Sequence, residues 1–278
     1  MLDILPLSPA IGVEIRGIDL GKPIAGDDFV RIRRAWEENC IALFRDQTIG
    51  EAEQLAFAAR FGPLGGRVND HEPQKGGNHP AVLYVSNVKV DGKLTGILPD
   101  GEMFFHSDTC YVERPAMASM LHAIEIPRTG GNTRYANGFK AYDALDPSLK
   151  EKLTGKLALN VYDYSGNPTH RANVLPPDAK QYAHPVFRTH PAAGKKALYV
   201  NRLMTWTILG VPEDESRDIL ELLFEHQEKP EFVYEHAWTP GDLIVWDNRS
   251  SLHARTDFDP NERRRLRRVT VLGERPYE

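Results

Sequence analysis

His106-Ser107-Asp108 closes the short apolar run Met103-Phe104-Phe105. In an extended chain, side chains two residues apart point to the same face, so this imidazole and this carboxylate can reach one metal ion together. The pair alone is a weak signal. A His-x-Asp arises about once by chance in a chain of this size with ten histidines, and His226-Gln227-Glu228 has a similar form. A strand-end histidine beside a solvated aspartate is the plainer reading. A third donor follows the hydrophobic strand Asp242-Leu243-Ile244-Val245-Trp246, in Asp247-Asn248-Arg249-Ser250-Ser251-Leu252-His253. A histidine just past a strand of the same sheet system can face a ligand pair carried on a neighbouring strand. Two imidazoles and one carboxylate leave three positions of an octahedron open, as in non-haem Fe(II) oxygenases. A structural zinc site closes its fourth position with another Cys or His.

The second chemical signal is Arg263-Arg264-Arg265-Leu266-Arg267-Arg268, five arginines in six residues. It reads either as a solvated basic edge, or nucleic-acid patch, or as a strand with a charged inner face. Strand alternation puts Arg264, Leu266 and Arg268 on one face and Arg265 and Arg267 on the other. Two guanidiniums on an inward face need anionic partners, because a buried unpaired Arg is too costly to keep. An anionic cosubstrate and an anionic substrate would supply them.

The elements that must position these groups are legible as pattern. Val13 and Ile15 alternate in a strand, a helix begins at Asp27 or Asp28 with Phe29, Ile32 and Trp36 on one face, and residues 40–44 form a buried strand. Thr48 and Glu51 form a capping-box pattern for a second helix that stops at Gly62-Pro63. A strand runs from Ala116 to Ile126, Asn137 and Asp146-Pro147 begin two helices, residues 186–200 read as a hairpin, and a helix runs from Glu213 to His226. The C-terminal part returns to sheet. Stretches near 65–101 and 162–185, rich in Gly, Pro, Asn and Asp, read as loop insertions, the first as a cover over a site. The expected fold is mainly β with flanking helices on one outer side, a double-stranded β-helix or jelly roll, as a single domain over 1–278.

Bulk properties narrow the function. A formal net charge of −5 gives no general attraction to nucleic acid or anionic membrane. Cys40 and Cys110 have no CxxC partners, so a reducing compartment fits. The N-terminus has neither a basic region nor a long apolar segment, and no run approaches the roughly 20 apolar residues of a membrane span. A cytoplasmic protein is expected, with no nucleic acid or membrane partner.

Together, His106-x-Asp108, Thr129-Gly130-Gly131-Asn132-Thr133, Gly241 through Arg249, His253, and Arg264 eleven residues later resemble the taurine dioxygenase family of Fe(II)/2-oxoglutarate oxygenases. The similarity covers nearly the whole chain, including Gly17-Ile18-Asp19-Leu20. Asn87 through Lys93 and the lead-in Tyr234-Glu235-His236-Ala237-Trp238 are most similar to the branch that cleaves chlorophenoxyacetates. The resemblance implies Fe(II) held by His106, Asp108 and His253. It implies 2-oxoglutarate and O2 as cosubstrates, with Thr133 and Arg264 on the distal carboxylate, and a small anionic substrate on Arg268. Trp246 and Asn248 lie near these positions, either packing or touching a ligand. Hydroxylation of a carbon next to oxygen or sulfur would give a product that breaks at that bond. Two departures, Glu102 where taurine-using members carry a neutral polar residue and Gly65-Gly66-Arg67-Val68 in place of a His-rich stretch, point away from taurine itself, and the resemblance to the chlorophenoxyacetate branch implies an aryloxyalkanoate such as 2,4-dichlorophenoxyacetate. Taurine or an alkylsulfonate is the alternative substrate. A jelly-roll protein that binds metal or a small molecule without turnover is the alternative class. A homo-oligomer is expected.

Overall fold

The structure, a computed structural model, describes residues 2–65, 78–98, 101–162, 174–175 and 177–278. In chain order these form β1 (Asp3–Pro6), β2 (Val13–Arg16), α1 (Gly26–Asn39), β3 (Ile41–Phe44), α2 (Glu51–Ala59), β4 (Val82–Ser86), β5 (Lys89–Val90), β6 (Lys93–Leu94), β7 (Met103–His106), β8 (Ala116–Glu125) and β9 (Thr133–Asn137). There follow α3 (Gly138–Asp143), α4 (Pro147–Leu153), β10 (Leu157–Val161), β11 (Gln181–Pro185), β12 (Phe187–Thr189), β13 (Lys196–Leu198), β14 (Thr205–Ile208), α5 (Glu213–Gln227), β15 (Val233–His236), β16 (Leu243–Asp247), β17 (Ser251–Arg255) and β18 (Arg265–Leu272). The large sheet has the order β1-β2-β3-β16-β8-β18-β4, and a four-stranded sheet has the order β15-β9-β17-β7.

The large sheet is apolar on both faces, and alternation explains why. Ala42, Phe44, Ala118, Met120, Leu243, Val245, Val269 and Val271 join one core with Phe29, Ile32 and Trp36 of α1 and Phe57 and Ala58 of α2. Their neighbours Ile41, Leu43, Leu121, Ala123, Ile244, Trp246 and Leu266 join a second core with Tyr135, Phe139 and Trp238, against the smaller sheet. Each such Leu, Ile or Val contributes about 1.5–3 kcal/mol relative to exposure. A third core holds α3, α4 and α5 against the strand pairs β10/β14 and β12/β13. The mainly β architecture with flanking helices is therefore present, but the helices are not confined to one outer side. Only α1 and α2 cover the large sheet.

Local expectations were met unevenly. Asn137 caps α3 by accepting from Phe139 N and Lys140 N, and Asp146 caps α4. α1 instead starts at Gly26, so Asp27 and Asp28 sit in its first turn, where carboxylates favour the positive end of the helix dipole. The capping contact of α2 is displaced from Thr48/Glu51: Glu53 accepts from Gly50 N at 2.9 Å, and Glu51 accepts from Asn78 N at 3.0 Å. Within the 162–185 stretch expected as loop, β11 pairs with β10, so tertiary pairing overrides a sequence ending in proline. Of the 65–101 stretch expected as a cover, residues 66–77 and 99–100 lie outside the described residues, as do 163–173 and 176 of the 162–185 stretch. No helix among the described residues is long and apolar enough to cross a membrane.

The decisive local feature is the crossing from β16, in the large sheet, to β17, in the smaller one. Asp247, fully buried, holds it. Its Oδ1 accepts from Arg249 N and Nε at 2.9 and 2.8 Å, and its Oδ2 from Arg249 Nη2 at 2.7 Å, with His190 Nε2 at 2.9 Å. Burial raises the Asp247 carboxyl, but the Arg249 guanidinium outweighs this and holds it below the usual carboxylate range. The carboxylate thus contributes fully above the ordinary aspartate value of about 4 and loses that contribution as pH falls further. Asp247→Ala leaves a buried guanidinium without its partner and should cost about 3–5 kcal/mol in urea unfolding at pH 7, with a smaller difference from the parent at acid pH.

Candidate active site

β7 and β17 are antiparallel neighbours whose register sets His253 opposite His106. His253 is thus inside a strand of the smaller sheet rather than just past one of the large sheet, and the two imidazole centroids are 4.1 Å apart. Asp108 follows β7 by two residues. One ligand atom from each of His106, Asp108 and His253 lies within 4.8 Å of the others, and all three residues are buried. Among the described residues this is the one such group. The rival at His226 and Glu228 is committed elsewhere: His226 Nε2 lies 2.8 Å from Ala141 O and Glu228 pairs with Arg202.

The donor set fits a divalent ion. Phe104 O can only accept, so the 2.9 Å contact to His106 Nδ1 puts the proton there and leaves Nε2 with a bare lone pair. Burial lowers the His106 value, and burial followed by His106 pushes His253 down to about 3, so both imidazoles are neutral at pH 7. Burial alone would raise the Asp108 carboxyl, yet the Arg268 guanidinium, the neighbouring His253 and His106 and the Ser119 hydrogen bond together outweigh it and keep the group ionised. Asp108 Oδ2 accepts from Ser119 Oγ at 2.6 Å and Oδ1 from Arg268 Nη1 at 3.2 Å.

Behind the carboxylate, Asn248 Oδ1 accepts from Asp108 N and Trp246 Nε1, and Asn248 Nδ2 donates to Ser119 Oγ. Trp246 and Asn248 therefore brace the aspartate. Sequence reasoning missed Ser119. Its signal was a hydroxyl in the middle of the apolar strand β8, where a buried polar group needs a partner.

Arg264 and Thr133 meet at a second centre. The Arg264 side chain is 1% exposed, its Nε and Nη2 donate to Gly131 O at 3.2 and 3.0 Å, and Nη1 has no partner. Among the described residues it has no carboxylate. Burial, then Arg255, push it down to about 9. Gly131 allows this approach, since its φ is +65° and a Cβ there would meet Arg264 Nε at 3.0 Å. Two residues on, Thr133 Oγ1 accepts from Trp238 Nε1 at 2.9 Å, which leaves its own proton to donate. Arg255, missed in the sequence, pairs across strands with Thr133 and donates through Nη2 to Gly101 O. Its signal was its place two residues beyond His253, on the same strand face.

The other arginines of the run have separate fates. Arg263 pairs with Glu125, Arg265 lies 4.5 Å over the Tyr84 ring, and Arg267 is buried against Gln54 Oε1 and the Ile49 and Gly50 carbonyls. Arg268 stays part-exposed at the metal group with Nε unpartnered. Glu102 is on the exposed rim, paired with Arg134 at 3.1 Å. Four unassigned histidines, His122, His184, His190 and His236, are core residues, and His71 and His170 lie outside the described residues.

Comparison with known proteins agrees with this geometry. The family described as "Taurine catabolism dioxygenase TauD, TfdA family" matches residues 3–270. The chain is 33% identical to an "Alpha-ketoglutarate-dependent 2,4-dichlorophenoxyacetate dioxygenase" of Cupriavidus pinatubonensis, over 97% of both chains. It is 30% identical to an "Alpha-ketoglutarate-dependent sulfate ester dioxygenase" of Pseudomonas putida, over 99% of this chain and 91% of that one. The solved structure of AAD-2 in complex with Mn(II) and N-oxalylglycine is similar with a TM-score of 0.81 at 30% identity, covering 99% of both chains.

Loss of the Ser119 hydroxyl leaves Asp108 Oδ2 without its hydrogen bond. Ser119→Ala should weaken Mn(II) binding by about 10- to 100-fold in an EPR titration, the usual scale for removing a ligand's supporting bond.

Proposed function

The chain belongs to the taurine catabolism dioxygenase TauD, TfdA family and is a 2-oxoglutarate-dependent dioxygenase using Fe(II) and O2, and from that premise we propose that it oxidises a small carboxylate with an aryl body, an aryloxyalkanoate such as 2,4-dichlorophenoxyacetate, at the carbon next to the ether oxygen. His106, Asp108 and His253 hold the ion. Arg264 and Thr133 hold the far carboxylate of 2-oxoglutarate, and Arg268 holds the substrate anion. When bound, Fe(II) with 2-oxoglutarate and O2 supplies the oxidising chemistry that hydroxylates the substrate while the cosubstrate becomes succinate and carbon dioxide. The protein's share is position and charge.

The observation that carries the reading is a pair of guanidiniums four residues apart, each with an N–H group to spare, one of them in contact with the metal-ligating Asp108. Arg264 has lost its water and found no counter-ion, so a bound dicarboxylate gains a strong ion pair there. Arg268 touches Asp108 itself, so an anion on its remaining N–H groups lies beside the metal. The apolar cluster of Cys110, Tyr111, Leu203 and Met204, with Met103, Phe104, Val112 and Tyr162 against it, flanks the ligand-bearing segment and suits an aryl body better than the short chain of taurine. A relative named for 2,4-dichlorophenoxyacetate supports the carboxylate, and one named for sulfate esters keeps an alkyl sulfonate or sulfate as the second reading. Both cysteines are free and buried, which suits a reducing, cytoplasmic setting.

Substrate-stimulated succinate release, with phenoxyacetates, both hands of 2-phenoxypropionate, indole acetate and taurine compared, tests the reading. Phenoxyacetates should give the highest kcat/KM, and stimulation by taurine alone would sink the aryl assignment. Arg264→Ala should weaken 2-oxoglutarate by about two to three decades, the scale of about 3–5 kcal/mol for one partner of a desolvated ion pair, whereas a solvent-facing arginine would change it by under about tenfold.

A further inference from the structure

Tyr135 is the fully buried phenol of this site whose hydroxyl has no hydrogen-bond partner. It lies on β9 two residues beyond Thr133 and so on the same strand face, and it is the cross-strand partner of His253. Its ring is 5.9 Å from that of Trp246, which packs in turn at 4.7 Å on the His253 imidazole. Burial and Tyr234 push the phenol well above its ordinary value, while the Thr133 hydroxyl and the Arg264 guanidinium are close enough to pull it back. Three polar groups are thus gathered in one buried place: the Tyr135 hydroxyl, which meets no partner at hydrogen-bonding geometry, the neighbouring Thr133 hydroxyl, whose oxygen is already engaged by Trp238, and Arg264 Nη1, which has no partner.

A buried hydroxyl without a partner costs about 1–3 kcal/mol. Phenylalanine has the same ring without that cost, so packing alone gives no reason for tyrosine. We propose that the Tyr135 hydroxyl is a third ligand of the distal carboxylate of 2-oxoglutarate, completing with Arg264 and Thr133 a site for a dicarboxylate rather than for any keto acid. This rests on the reading of Arg264 and Thr133 given above. A carboxylate has about four lone-pair directions, so it accepts from a guanidinium and two hydroxyls at once.

The test is Tyr135→Phe, measured as the calorimetric dissociation constant of N-oxalylglycine from the Mn(II)-loaded protein. N-Oxalylglycine should bind about tenfold more weakly, the effect of one hydrogen bond to a charged group. Mn(II) affinity should be unchanged, and the ligand-free protein should melt at the same or a higher temperature, because an unpartnered hydroxyl has been removed. Displacement by 2-oxobutanoate, which keeps the keto acid but lacks the far carboxylate, should not change. Unaltered affinity for N-oxalylglycine overturns the proposal, and so does an equal loss for both acids. Arg264→Ala, run alongside, separates the two levels: if it weakens N-oxalylglycine and Tyr135→Phe does not, the phenol alone is removed from the site. If neither variant changes the affinity, the assignment of this pocket to 2-oxoglutarate falls with it.

Discussion

A guanidinium cannot shed its charge at neutral pH, and taken out of water without a counter-ion it is among the costliest groups that a fold can bury. Arg264 is in that condition: among the described residues its guanidinium meets the Gly131 carbonyl and, at 5.9 Å, the Phe258 ring. The carbonyl dipole softens the cost, but an anion would remove more of it, so on the proposed assignment the stability given up here returns as affinity for a dicarboxylate. The surrounding backbone is arranged to keep this group in place. The Gly130-Gly131 turn brings the carbonyl onto the guanidinium, the strand that follows delivers Thr133 and Tyr135 on one face, and β18 begins at the next residue, Arg265.

The metal group obeys the opposite rule, for its charge is neutralised locally. Both imidazoles are neutral, and the one carboxylate is ionised because Arg268, together with its other neighbours and the Ser119 hydrogen bond, outweighs its burial. The two sheets divide the work. The smaller one supplies His106 and His253 through the direct pairing of β7 and β17, and the large one supplies Ser119 and Arg268, which fix the two oxygens of Asp108. A site made between layers depends on how the chain passes from one layer to the other. That passage is the turn held by Asp247, His190 and Arg249, so a buried ion pair outside the metal-ligating group sets where β17, and with it His253, begins.

How much of this could be read in the sequence follows from the range of the interactions. His106, Asp108 and His253 were legible because a period of two and a hydrophobic strand are short-range signals, and the Asn137 and Asp146 caps for the same reason. Ser119, Tyr135 and Trp238 were not, since each matters through a partner more than ten residues away. The capping of α2 slipped by two residues because Thr48 and Gly50 are both acceptable starts and only packing chooses. The arginine run shows the limit most clearly. Alternation put Arg264 and Arg268 on one side, but Arg267 is equally buried on the other, satisfied by Gln54 and two carbonyls of the α2 approach. Sequence could not distinguish a guanidinium that awaits a ligand from one that pins a helix, because the difference is the presence of those carbonyls.

The same reasoning bears on selectivity between anions. On the proposed assignment of the substrate anion to Arg268, a sulfonate and a carboxylate make similar demands on a group that is part-exposed and already shares its charge with Asp108, so the anionic end discriminates weakly. Discrimination must then come from the rest of the molecule. Beside the ligand segment stand Met103, Met204 and a pair of tyrosine rings, Tyr111 and Tyr162, 4.6 Å apart. Thioethers adapt to irregular shapes and rings stack on rings, so such a wall holds a flat aromatic body by area while tolerating changes at its edge. On that assignment taurine, with an ammonium at the far end, would bring a second charge to a cluster that holds tyrosine hydroxyls but no carboxylate. On the proposed assignment the charge of the substrate is thus read at one point and its shape over a surface.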